Sequence, residues 1–112
     1  MRVGIDLVQI SRIAGSLETF GERFLRRVFT DGEIAYACAA PALTAERLAA
    51  RFAAKEAGKK ALELDGIGWR SLEVERSASG ACRLVWHGPV RRELALSMSH
   101  EGDLATAVVI DD

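Results

Sequence analysis

The chain opens on an apolar run, Val3 to Val8, rich in β-branched residues and broken only by Gly4 and one acid, Asp6. This pattern predicts a short strand. From Ile10 the period changes. Ile10, Ile13, Leu17, Phe20, Phe24 and Val28 recur at steps of three and four, the spacing of one helix face. Gly15 and Gly21 interrupt that face, and the break is expected near Gly21. Thr30-Asp-Gly-Glu33 has the S/T-x-x-E spacing of a capping box and predicts a helix from about Asp31 to Ala39, with Pro41 marking the turn that follows. The longest regular segment runs to Leu64, with Thr44 expected as its cap and Glu46 suited to its first turn. Gly58 lies inside it at a penalty of about 1 kcal/mol relative to Ala, so packing is expected to require a slim residue there. Asp65 to Gly68 reads as a loop. Leu72 to Arg76 and Cys82 to Trp86 read as strands around a Ser77–Gly80 turn. Gly88-Pro89 predicts the opening of a helix of one or two turns. Leu94 to His100 and Ala105 to Ile110 are apolar strands joined by a Glu-Gly-Asp turn. This order implies one α+β domain over residues 1–112, with a small, mainly antiparallel sheet packed with helices.

Composition narrows the classes. The 112 residues hold 15 Lys plus Arg against 16 Asp plus Glu, a net charge of −1, which argues against a nucleic-acid-coating protein. With 28% charged and 49% apolar residues, the chain is globular rather than disordered. No apolar run approaches the roughly 20 residues of a membrane span, and no signal-peptide core precedes Asp6. Cys38 and Cys82 lack metal spacing and suit buried, inert roles in a reducing cytoplasm. Neither a nucleophile elbow nor a Walker loop is present.

Four features could carry chemistry. Asp6 sits between Ile5 and Leu7, where a carboxylate is costly unless it meets a cation, a donor or solvent. An alternating edge strand with Asp6 facing water is an equal alternative. In Arg51-Phe-Ala-Ala-Lys-Glu-Ala-Gly-Lys-Lys60, steps of four place Phe52, Glu56 and Lys60 on one stripe and Arg51, Lys55 and Lys59 on the next. A solvated face is the ordinary reading of such charges, but Phe52 heads the stripe of Glu56 and Lys60 and brings it to a packed edge. His100 closes Leu96-Ser-Met-Ser-His100, where a hydrogen-bonded structural histidine is the simpler reading, and Ser97 and Ser99 share a sheet face. Arg12, Arg23, Arg26 and Arg27 gather positive charge in one quarter of the chain. They serve either as solvated helix backs or as a docking surface for an acidic protein.

Together these segments resemble the bacterial holo-acyl-carrier-protein synthases, the small trimeric branch of the phosphopantetheinyl transferases. The likeness covers nearly the whole chain. Gly4-Ile-Asp-Leu-Val-Gln-Ile-Ser-Arg-Ile13 is similar to the family's opening segment, and Phe24 to Glu33 resembles its F…T-x-x-E stretch. Arg51 to Leu62 is nearly a copy of its most diagnostic motif, and Trp69 to Val74 and Leu96 to His100 follow in the family order. The resemblance implies the phosphopantetheinyl-transferase fold and transfer of 4'-phosphopantetheine from coenzyme A to a serine of an apo acyl carrier protein, releasing adenosine 3',5'-bisphosphate. It implies Mg2+ held by Asp6 and Glu56, with Glu56 and Lys60 as catalytic groups. Arg51, Ser99 and His100 match coenzyme A groove positions, and Arg12, Arg23 and Arg27 match or extend the carrier-docking surface. A cytoplasmic homotrimer serving fatty acid or polyketide carriers is the expected setting. Gln9 stands where the family commonly has an acid, and Gly80-Ala-Cys82 where it usually shows Gly-x-Pro. A catalytically weak relative that only binds a carrier protein or coenzyme A is the alternative.

Overall fold

A computed structural model describes all residues, 1–112. Five strands form one antiparallel sheet: β1 (Arg2–Gln9), β2 (Leu72–Arg76), β3 (Cys82–Trp86), β4 (Arg92–Glu101) and β5 (Leu104–Asp111). Their order is β1-β5-β4-β3-β2, so the first strand pairs with the last. Four helices accompany them: α1 (Ile10–Phe20), α2 (Glu22–Val28), α3 (Asp31–Cys38) and α4 (Thr44–Leu62). The α+β class and mainly antiparallel sheet expected from the sequence are what the structure has.

α4 lies across β1 and β5 and forms the spine of the core. It does so because its inner face is nearly all alanine. Ala49, Ala53, Ala54, Ala57 and Ala61 are fully buried, and such short side chains let the helix axis approach the sheet. Gly4 marks the closest approach, where a Cβ would stand 1.8 Å from the Ala57 carbonyl oxygen. Gly58 is slim for the same reason, since its Cβ would meet Leu84 at 2.4 Å. Phe29, Leu48, Leu72, Leu84 and Val109 complete the fully buried core.

The break between α1 and α2 falls at Gly21, whose φ of 55° is open to glycine at little penalty. The capping box forms as expected. Thr30 N donates to Glu33 Oε1 at 2.8 Å, and Glu33 N donates to Thr30 Oγ1 at 3.3 Å. α1 is capped from a distance. Gln9 contributes no side-chain cap, and Asp103, in the β4–β5 turn, accepts from Ser11 N at 2.8 Å and from Ser11 Oγ at 2.6 Å.

Three local expectations are corrected. Thr44 is the first residue of α4, not its cap; its hydroxyl donates to Ala37 O at 2.9 Å and ties α4 to α3. α4 ends at Leu62 rather than Leu64, because Glu63 turns left-handed with φ of 55°. No helix follows Gly88-Pro89. His87 N donates to Ser71 O at 2.7 Å, and Gly88 lies so close to the Trp86 ring that a Cβ would meet it at 2.4 Å, leaving the chain only a short connection into β4. Both cysteines are free, and neither is buried as expected: Cys38 is exposed and Cys82 half-buried.

Candidate functional site

Strand parity decides where Asp6 points. Gly4 and Val8 are buried beneath α4, so Asp6, two residues from each, shares their inward face, while Val3, Ile5 and Leu7 point outward and are 58%, 59% and 62% exposed. β1 is an alternating edge strand, as that alternative had it, but Asp6 does not face open water. Only 17% of the Asp6 side chain is exposed, and it has a cation beside it: Lys60 Nζ lies 3.3 Å from Asp6 Oδ1 and donates to Ile5 O at 2.8 Å. The helix stripe read from the sequence thus meets the strand acid through Lys60.

Glu56 stands between two clefts. On one side, a cleft of about 390 Å³ is lined by Asp6, Arg12, Phe24, Phe52, Glu56 and Trp69 among others. On the other, a cleft of about 410 Å³ is lined by Glu56, Lys59 and Lys60 with residues 63–66. No ion pair or hydrogen bond engages the Glu56 carboxylate. A half-buried, unpaired acid that shares a cleft with a second carboxylate offers hard oxygen donors, the kind a small divalent cation takes with water completing its shell. One wall of the first cleft is aromatic. Phe52 stacks on Trp69 with centroids 5.0 Å apart, and the Lys59 ammonium rests 3.6 Å from the Trp69 centroid.

Lys55, read in a stripe with Arg51 and Lys59, belongs elsewhere. It is fully buried, pairs with Glu33 Oε1 at 2.7 Å, and donates to the carbonyls of Trp69, at 3.1 Å, and Leu72. Burial pushes its ammonium below the ordinary lysine value, with Glu33 opposing the shift. Glu33 in turn accepts from Val74 N at 2.8 Å. Nothing in the sequence set Lys55 apart from its neighbours, because its partners come from α3 and β2.

The remaining candidates separate. Arg51 is buried and lies over the Tyr36 ring at 4.5 Å, joined there by Arg47 at 4.1 Å and Arg76 at 4.5 Å. Burial lowers its guanidinium below the ordinary value. It lines a cleft of about 350 Å³ with Tyr36, Glu73 and Glu75. Ser99 and His100 line another, of about 230 Å³, with Leu7, Leu104 and Thr106, and His100 Nδ1 lies 3.4 Å from Glu46 Oε1. One chain therefore does not bring Arg51 together with Ser99 and His100. Of the four arginines, Arg26 is paired with Glu22 at 3.2 Å and Asp31 at 3.8 Å. Arg12, Arg23 and Arg27 are exposed without a carboxylate partner. Gln9 is exposed and lines neither Glu56 cleft, so the missing acid at that position does not strip them. A third carboxylate group, Glu73 and Glu75 with His87, is already engaged by Thr30, Arg83 and Arg91.

Comparison with known proteins agrees with this geometry. The family model for the 4'-phosphopantetheinyl transferase superfamily matches residues 2–109. A holo-[acyl-carrier-protein] synthase of Koribacter versatilis is 43% identical, over 96% of this chain and 94% of its own. The crystal structure of the Helicobacter pylori holo-[acyl-carrier-protein] synthase in complex with coenzyme A superposes with a TM-score of 0.81 at 26% identity, covering 96% of this chain and 97% of that one. A Bacillus anthracis synthase in complex with CoA (3',5'-ADP) gives 0.78 at 31% identity, covering 96% and 92%. With Asp6, Glu56 and Lys60 gathered where β1 crosses α4 and this match across nearly its full length, the chain belongs to the holo-[acyl-carrier-protein] synthases of the 4'-phosphopantetheinyl transferase superfamily.

Proposed function

We propose that this enzyme moves 4'-phosphopantetheine from coenzyme A to a serine of an apo acyl carrier protein. The observation that carries the reading is the convergence of Asp6 and Glu56, 50 positions apart in the sequence, on one cleft beside Lys60. The cleft lined by Lys59 and Lys60 suits the anionic pyrophosphate of the donor. The cleft lined by Arg12, Phe24 and Phe52 suits the carrier, with Arg12, Arg23 and Arg27 steering its acidic surface.

In this reading the serine hydroxyl attacks the β-phosphorus of coenzyme A. A bond forms from the serine oxygen to that phosphorus as the bond to the bridging pyrophosphate oxygen breaks. Adenosine 3',5'-bisphosphate leaves, and Glu56, between the two clefts, takes the hydroxyl proton. Lys60 places positive charge where the phosphate oxygens gain negative charge. Asp6 and Glu56 would hold Mg2+, which when bound neutralises charge on the donor's phosphates. The bare face of the sheet supports assembly. Val3 pairs with Ile110, Ile5 with Val108 and Leu7 with Thr106, giving an apolar surface that ends at Ser99. Such a surface is buried by copies of the same chain in a homotrimer, which also unites Ser99 and His100 of one copy with Arg51 of the next around coenzyme A. No helix is long and apolar enough to cross a membrane, and the setting proposed is the cytoplasm.

The test is incubation with coenzyme A, magnesium and a panel of apo carriers, read by intact mass. One phosphopantetheine is gained by the carrier, and the gain disappears with EDTA or Glu56→Ala. No gain on any carrier overturns the reading. Light scattering at three times the 12.1 kDa chain mass checks the trimer.

A further inference from the structure

Two lysines follow Glu56 on α4, and their surroundings differ. Lys60 is engaged by β1 through the Ile5 carbonyl and Asp6. Lys59 has no carboxylate within ion-pair distance and no hydrogen-bond acceptor; its ammonium rests on the Trp69 ring at 3.6 Å. An aromatic face attracts a cation but leaves its N–H donors without acceptors. The ring itself is fixed, by Phe52 stacked against it and by Lys55 bonded to the Trp69 carbonyl. Lys59 is thus held in place and still has donors to give.

At 100° per residue, Lys59 and Lys60 project to either side of Glu56, about one turn further along the helix. All three line the same cleft of about 410 Å³. Its other acids, Glu63 and Asp65, are exposed, and Glu63 lies 4.0 Å from Arg2. Neither reaches Lys59. A cation that is positioned, half-buried and unpaired beside a carboxylate has the donors to bind an anion.

We propose that Lys59 binds a phosphate of the donor's pyrophosphate, across Glu56 from Lys60, and so sets the affinity for coenzyme A while Lys60 also holds Asp6. This rests on the reading of coenzyme A as donor. The sequence placed Lys59 in a stripe of solvated charge; its role emerges only once Lys60 is seen to be engaged and Lys59 is not.

The experiment compares wild type, Lys59→Met and Lys59→Arg by calorimetric titration with coenzyme A and by steady-state kinetics with an apo carrier. Methionine keeps an unbranched apolar stem beside Trp69 but removes the ammonium. Losing one charge-assisted phosphate contact raises Kd and KM for coenzyme A about tenfold. The KM for the carrier and the Tm stay as in wild type, and Lys59→Arg returns the coenzyme A values to within about threefold of it. Dephospho-coenzyme A, which keeps the pyrophosphate and lacks the 3'-phosphate, shows the same ratio between wild type and Lys59→Met. A ratio that vanishes with dephospho-coenzyme A puts Lys59 on the 3'-phosphate and overturns the assignment. Lys59→Met binding coenzyme A as wild type does, while wild type turns over, overturns this inference alone. Wild type binding no coenzyme A overturns the donor reading and this inference with it.

Discussion

Lys55 and Glu56 are adjacent on α4, yet they sit in opposite kinds of polar cluster. Around Lys55 every strong group is satisfied: its ammonium meets Glu33 and two carbonyls, and Glu33 meets Thr30 N and Val74 N as well. Around Glu56 the groups are open. Glu56 has no partner, Asp6 shares Lys60 with a backbone carbonyl, and Arg12 opens on the same cleft unpaired. The closed cluster joins α3, α4 and β2 and leaves nothing for a ligand. The open one holds charge in reserve at a seam between elements. Residue types alone do not distinguish the two; the count of satisfied donors and acceptors does.

Breaking the closed cluster has the largest effect. Lys55→Met or Glu33→Gln strands a buried partner and lowers stability by about 3–5 kcal/mol, read by denaturant unfolding. The double variant Lys55→Met with Glu33→Gln loses less than the two single losses summed, because neither charge is then left buried and unpaired; a double variant as unstable as that sum would show that the charges act independently. In the open cluster, Glu56→Ala leaves the unfolding midpoint nearly unchanged and lowers turnover at saturating substrates by about a hundredfold or more. Unfolding of that variant would place Glu56 among the structural groups instead. Arg12→Glu is smaller still: the KM for the carrier rises about tenfold and that for coenzyme A holds, and equal changes in both would refute a docking role.

The smallest effect is at the margin of the closed cluster. Burial alone would raise the Glu73 carboxyl, but hydrogen bonds from Thr30 and His87, with the His87 charge, hold it below its ordinary value. A carboxylate lowered in the folded state stabilises the protein above its unfolded pKa, and that contribution is lost as the pH falls through the folded one. The Tm advantage of wild type over Glu73→Gln therefore shrinks below about pH 4.3, from a difference of under about 1 kcal/mol. A difference that is flat with pH would remove Glu73 from the pH response.

Much of this was legible in the chain. The capping box at Thr30, the break at Gly21 and the five strands follow from spacing that physics permits in few ways. The face of Asp6 was not. Val3, Ile5 and Leu7 alternate as though they were the buried set, yet they lie outside, because Gly4 on the opposite parity is what lets α4 come close. An apolar row on the bare face reads locally like a core row. Lys55 was hidden for a different reason, since its partner Glu33 lies 22 positions earlier and only the tertiary fold joins them. The helix expected at Gly88-Pro89 failed because the Trp86 ring against Gly88 and the Ser71 contact of His87 fix the segment first.

Pairing β1 with β5 has a consequence for the order of assembly. The strand that carries Asp6 gains its neighbour only when residues 104–111 exist, and Ser11 meets its cap, Asp103, across a separation of 92 residues. Closing so long a loop is slow relative to forming the local turns, so α3 and the β2–β3 hairpin precede it. A ribosome-bound chain thus carries Asp6 on an unpaired ribbon until β5 emerges. The surroundings of Asp6 therefore form all at once, with β5, rather than by increments as the chain lengthens.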